Sequence, residues 1–231
     1  MIYSQINFML PTRKRVPQLR RFIETSLAYV TNFNRIAFTF LVDRDDIQTR
    51  YYLDKRQLPC DSMVLYWDDP GPHLGKMYNK LYDETPFKDS VVSMVGDDMA
   101  WMTPRYNEPI LKAINDLDGF AVVSCDDGYI QQGKIFVNLF TTRRMVEATG
   151  APFMSEEFPM DFIDVVWTDL ARLTKTDVYL SDVTLKHEHS ASAGDETRER
   201  LRAVRGKAGL RRAMEIGMDL APAVLKAIAN A

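Results

Sequence analysis

Val91-Val92-Ser93-Met94-Val95-Gly96-Asp97-Asp98-Met99 decides how the rest of the chain is read. Its first five residues include three valines and form the pattern of a buried strand. Gly96 then frees the backbone, and two adjacent carboxylates follow at the strand's C-terminal edge, where open α/β sheets bind ligands. Two neighbouring carboxylates repel one another and resist desolvation, so an inward-facing pair shares protons or a cation. Oxygen donors of this kind suit Mg²⁺ or Mn²⁺, with substrate phosphates and water completing the shell. A solvated Asp-Asp turn is the bland alternative for the pair taken alone.

Outward from that stretch, strand and helix patterns alternate. Ile6–Leu10, Ile36–Val42 and Ser62–Trp67 read as strands. Helical periodicity separates them, with Leu19, Phe22, Ile23, Leu27 and Val30 on one face and a mixed segment at 47–56. A third helix carries Leu74, Met77, Tyr78, Leu81 and Tyr82 on one stripe. This order predicts a mostly parallel sheet flanked by helices. Beyond residue 100, a helix is expected over Pro104–Leu117, strands at Phe120–Ser124 and Ile135–Leu139, and a short helix over Thr141–Thr149 stopped by Gly150. A further helix is expected over Met160–Leu173, with strand pieces at Val178–Leu180 and Val183–Leu185. From residue 195 the chain turns Arg-rich and then Ala-rich, so the predicted division is a domain over 1–194 and a helical extension over 195–231.

The 231 residues suffice for one sizeable core, and 46% hydrophobic with 26% charged residues is the composition of a water-soluble globule. No apolar run is long enough to span a membrane, and the N-terminus lacks a signal-peptide pattern. Cys60 and Cys125 lie far apart without a CxxC spacing, which suits two reduced thiols in a cytoplasmic protein. The net charge of −3 gives no global preference for nucleic acid. Between Thr197 and Arg212, however, seven basic residues face one acidic residue, a local charge of +6. Such a run is either a solvated helical face or a surface for a nucleic-acid backbone. Ala213–Ala231 is apolar, with Pro222 expected to interrupt any single long helix, and suits core packing or a homodimer contact.

Four places carry candidate chemistry. Arg13-Lys14-Arg15 follows the first strand and opens a helix, a setting for phosphate; no GxGxxG or Walker A pattern accompanies it. Lys76 lies in a helix's first turn, where a lysine is favourable only beside an anion. Asp161 and Asp164 share one helix face, and a carboxylate there can act as a general base. His187-Glu188-His189 leaves the last strand with its two imidazoles pointing opposite ways, so one of them can complete a metal shell.

In this order, the Pro11-Thr12-Arg13 strand end, Val42-Asp43, Gly75-Lys76, Val95-Gly96-Asp97-Asp98, Asp164-Val165-Val166-Trp167 and His187-Glu188-His189 resemble the GT-A-fold glycosyltransferases, nearest to the family-2-like enzymes that bacteriophages often carry. The resemblance spans residues 5–195. It implies transfer of a sugar from a nucleotide-diphosphate donor, UDP favoured, with Mn²⁺ or Mg²⁺. It places Pro11, Thr12, Arg13 and Asp43 at the nucleoside, Lys76 at the diphosphate or sugar, and Asp97 at the donor ribose or sugar. Asp98 and His187 fall at the metal, and Asp164 at the base of an inverting reaction. Met99 departs from the pattern, since many relatives carry a further Asp there. A modified base in phage DNA, held by the basic run, is one acceptor this suggests. A non-catalytic nucleic-acid or partner-binding protein using the basic C-terminal helix is the alternative. Gly-Asp-Asp between apolar residues also occurs in polymerase palms, but 231 residues leave no room for fingers and thumb.

Overall fold

A computed structural model describes residues 2–69, 73–128, 132–158, 162–188 and 207–231, with side chains from 209 onward in the last segment. The strands are β1 (Ile6–Thr12), β2 (Ile36–Asp43), β3 (Asp61–Trp67), β4 (Val91–Met94), β5 (Met99–Trp101), β6 (Val122–Asp126), β7 (Leu139–Thr141) and β8 (Asp177–His187). The helices are α1 (Val16–Tyr29), α2 (Ile47–Lys55), α3 (Leu74–Glu84), α4 (Asn107–Asp116), α5 (Arg143–Thr149), α6 (Ile163–Thr174) and, at the C-terminus, α7 (Lys207–Ala229).

The strands form one sheet in the order β3-β2-β1-β4-β7-β6-β8-β5. β1 pairs in parallel with β2 and β4, and β2 with β3, so these four C-terminal ends share one edge. The chain winds from β1 outward to β3 and then returns to place β4 on the other side, making the β1/β4 junction a topological switch point. β7 is antiparallel to β4 and β6, while β8 is parallel to β6 and antiparallel to β5.

Alternation along β1 sends successive side chains to opposite faces. Ile6, Phe8 and Leu10 enter one core with Phe22, Phe38, Phe40, Trp101 and Tyr106, beneath α1 and α4. Met9 enters the other with Leu41, Val92, Tyr78, Leu81, Trp167 and Leu170, beneath α3, α5, α6 and α7. Trp101 stacks on Tyr106 with ring centroids 3.7 Å apart. Asn7, Thr39 and Thr85 satisfy one another inside the second layer, through bonds of 3.0, 2.9 and 2.8 Å.

Several expectations need correction. Ile135–Asn138 is not a strand, and pairing begins at Leu139. Asn138, fully buried, supplies the reason: its side chain accepts from the Cys125 N–H at 2.7 Å and donates to the Cys125 carbonyl at 3.1 Å, replacing ladder bonds that its backbone would make. The two expected pieces around residues 178–185 are one strand, β8, whose pairing with β6 shifts between Cys125 and Asp126. Met99–Trp101, of which only Met99 was read, as the end of the central motif, is a strand of its own against Leu185–His187. Cys60 and Cys125 are free thiols, and no helix among the described residues is long and apolar enough to cross a membrane.

Pro222 does not break the last helix, which runs through it. Packing explains this: Ala213, Ala221 and Val224 are buried against the second core, and Gly217 lets α7 approach the Val166 carbonyl and Leu170 N–H of α6. Tertiary burial outweighs the hydrogen bond that proline cannot donate. Pro222 itself is exposed, so Pro222→Ala is expected to raise stability by about 1–3 kcal/mol, the interior proline penalty, read from urea unfolding midpoints. An unchanged or lower midpoint would mean that α7 is not continuous there.

Candidate active site at the C-terminal edge of the sheet

β1 lies between β2 and β4, and the loop that follows it reaches both ways. Lys14 adopts a left-handed conformation (φ 54°), turning the chain sharply before α1, where Pro17 sits in the first turn. Its N–H donates to Asp46 Oδ2 at 2.5 Å, and Asp46 also caps α2 through the Thr49 N–H at 3.1 Å. On one side of this pin, Arg13 pairs with Asp43 and forks onto Asp45 at 2.9 and 3.0 Å. On the other side, Arg15 Nη1 stands 3.3 Å from Asp97 Oδ1 and 3.4 Å from Asp98 Oδ2.

Asp97 is buried and accepts from the Thr12 hydroxyl at 2.7 Å. Burial pushes its carboxyl up to about 6; the charge of Arg15 works against the rise, and that of Asp98 adds to it. Burial acts on Asp98 in the same sense, but the hydrogen bond and charge of His187, with Arg15 behind them, hold Asp98 below the ordinary carboxylate value. His187 Nε2 lies 3.3 Å from Asp98 Oδ1. Backbone bonds fix this meeting: the Glu188 N–H donates to the Asp98 carbonyl at 2.8 Å and the His187 N–H to the Asp127 carbonyl at 3.0 Å. A Cβ at Gly96 would lie 2.5 Å from Asp98 Oδ1, so glycine there leaves the Asp98 carboxylate its place beside His187. Arg21 on α1 pairs with Glu188 at 2.8 Å, tying α1 to the same strand end.

Asp43 is mostly buried at the end of β2. Arg13 occupies its Oδ2, while its buried Oδ1 has no hydrogen-bond partner among the described residues. Burial raises its pKa, and the Arg13 bond opposes that.

The structure therefore brings Thr12, Arg13, Asp43, Asp97, Asp98 and His187 to one edge. Pro11 is a β1 residue paired with Leu41, one step back from that edge. Lys76 is exposed on the first turn of α3 and makes no described bond to the cluster. The same helix reaches the central loop through Tyr78, whose buried hydroxyl donates to the Val95 carbonyl at 2.8 Å. Asp164 sits in the first turn of α6, its Oδ1 accepting the Val165 N–H at 2.9 Å. Phe162 precedes that helix in a left-handed conformation (φ 68°), packing on Phe158 at 5.7 Å and against Gly209 of α7, where a Cβ would come within 2.6 Å of its ring. Asp161, His189 and the basic run from Arg198 to Arg205 lie outside the described residues. Of the two remaining arginines of that run, Arg211 is exposed and Arg212 forks onto Glu157 at 2.8 Å.

Sequence reasoning gave Arg15 only a share in a phosphate setting, with no link to the aspartates, and gave Asp46 no role. Arg15 was visible only as one member of a basic triplet, and Asp46 only as a residue closing β2. The signal for both was the turn at Lys14, which nothing in residue type announces.

The raised Asp97 gives a pH signature. With its folded value near 6 and the ordinary value at 3.8, the folded chain holds a proton between those limits that the unfolded chain has released. This group's contribution therefore falls as pH rises from about 4 to 6. Urea midpoints of the wild type in EDTA are expected to fall across that window relative to Asp97→Asn. Parallel profiles would place the Asp97 carboxyl at an ordinary value.

No protein-family model and no curated protein matches the chain. Among solved structures, S. aureus TarS 1-349 matches with a TM-score of 0.64 at 14% identity, over 93% of this chain and 70% of that one. The same TarS fragment in complex with UDP-GlcNAc gives 0.60 at 15%, over 92% and 71%. The mannosyltransferase PcManGT from Pyrobaculum calidifontis, in complex with GDP-Man and Mn²⁺, gives 0.62 at 12%, over 100% and 74%. At these identities the likeness is one of architecture: the chain has the GT-A-like α/β fold.

Proposed function

We propose that this chain is a nucleotide-sugar-dependent glycosyltransferase, family-2-like, using a divalent cation. The carrying observation is the convergence of Asp43, Asp97, Asp98 and His187 on the C-terminal edge at the β1/β4 switch point, the place where open α/β sheets take ligands. That structures of the same fold are complexed with UDP-GlcNAc, and with GDP-Man and Mn²⁺, supports the reading.

The orphaned Asp43 Oδ1 is a buried acceptor that a nucleobase N–H would satisfy. UDP is favoured over GDP on the family resemblance. Thr12 and Arg13 hold the Asp43–Asp97 wall of this site, and Lys76 at the head of α3 supplies positive charge for the diphosphate.

The donor set fits a Mg²⁺ or Mn²⁺ ion. Asp98 Oδ1 and His187 Nε2, 3.3 Å apart, have roughly the separation of adjacent ligands each about 2.1 Å from one ion. No group of three His, Cys, Asp or Glu side chains able to hold a metal occurs among the described residues. Diphosphate oxygens and water would complete the shell. When bound, the ion offsets charge building on the departing diphosphate. Asp97 orients the donor ribose or sugar, and Asp164, at the positive end of α6, takes the proton from the acceptor hydroxyl, giving inversion. A modified base in DNA of the kind phages carry is one acceptor that the phage-like resemblance and the +6 run suggest.

Calorimetric titration of UDP and GDP, with Mn²⁺ and with EDTA, tests the donor site. UDP is expected to bind with Mn²⁺, GDP more weakly, and Asp98→Ala to abolish the metal-dependent part. Binding of neither nucleotide would overturn the reading. For the base, Asp164→Asn is expected to keep UDP binding while losing at least about 100-fold in sugar transfer or donor hydrolysis; equal turnover would remove Asp164 from that role.

A further inference from the structure

Arg15 makes contacts unlike those of its neighbour in the same loop. Arg13 forks onto Asp45 with two bonds near 3 Å, the geometry of a fixed guanidinium–carboxylate pair. Arg15 instead shares one nitrogen between two carboxylates, at 3.3 and 3.4 Å. Both distances exceed those of strong charged hydrogen bonds. The one guanidinium also serves two carboxylates, one of them buried. The guanidinium is therefore a counter-ion of the pair that neither aspartate holds in a two-pronged bond.

Its place matters as much as its charge. Arg15 approaches Asp98 at Oδ2 while His187 holds Oδ1. A cation carried by Asp98 and His187 would lie on the same carboxylate as the guanidinium, and the two like charges would oppose each other at short range. Arg15 is also the residue from which α1 starts. An anionic diphosphate at this edge offers it the two-pronged partner that the aspartates do not.

We propose that Arg15 is a resident counter-ion of the Asp97–Asp98 pair that competes with the divalent cation, so that the ion enters together with the nucleotide diphosphate and not before it. The competition stands on the Arg15 geometry. Only the identity of the anion that draws Arg15 away rests on the donor-site reading. Linkage then requires that metal and nucleotide strengthen one another by the same factor.

The test is Mn²⁺ binding to the full chain, followed by the electron-paramagnetic-resonance signal of free Mn²⁺, without nucleotide and with UDP. Arg15→Gln is expected to bind Mn²⁺ alone about tenfold or more tighter than the wild type, and to gain less on adding UDP, because the competitor has already gone. Arg15→Lys, which keeps the charge, is expected to stay close to the wild type. Arg15→Met keeps the aliphatic stem and replaces the glutamine variant should circular dichroism show that it does not fold. Mn²⁺ binding by the folded neutral variant that is no tighter than wild type overturns the proposal, whatever UDP does. Tighter Mn²⁺ binding in a chain that takes up no UDP leaves the counter-ion in place and removes the donor-site reading instead.

Discussion

Two adjacent carboxylates, one of them out of water, impose a condition that the surrounding structure has to meet. Asp97 is enclosed by β1 and the β4 loop, and its charge is answered by a threonine hydroxyl at the end of the strand next door and an arginine from the loop that follows it. Asp98, one residue on, is answered by His187 and by that same arginine. None of these partners is local to the motif in sequence. The pair is tolerable only if β1 lies beside β4 and β8 returns to β5, so the electrostatics of one dipeptide and the topology of the sheet are the same requirement seen at two scales.

The two cores serve that requirement differently. The aromatic layer under α1 and α4 fixes β1 and β2 through Phe8, Phe22, Phe38 and Tyr106, which determines where Thr12 and Asp43 emerge. The layer under α3, α6 and α7 holds the Val95–Asp98 loop from behind, with Tyr78 bonded to the Val95 carbonyl. Polar groups that would otherwise be stranded in this second layer are closed into the small Asn7–Thr39–Thr85 set.

Regular periodicity made the first half of the fold readable. The strands at residues 6, 36, 62 and 91 and the amphipathic stripes of α1 and α3 are local features, and each lies where its pattern put it. What escaped depended on partners remote in sequence. Asn138 ends a would-be strand because its amide fits Cys125, and Pro222 stays inside a helix because α6 covers the opposite face. Met99–Trp101 is a strand only because β8 passes it. At the candidate site, strand-end carboxylates were legible from their position after apolar runs. The role of Arg15 was not, since its side chain is aimed by the left-handed turn at Lys14, a residue whose type favours no such turn.

The seating of Phe162 has a consequence for anyone using this scaffold. A bulky residue held in left-handed backbone immediately before α6 stores conformational strain that only its surroundings retain. Here the retaining wall includes Gly209, from the far end of the chain. The C-terminal helix is therefore a brace for the turn that opens α6, not ballast appended to a finished domain. Fusions, surface charges or linkers grafted near residue 209 would be felt at the start of α6 through that brace.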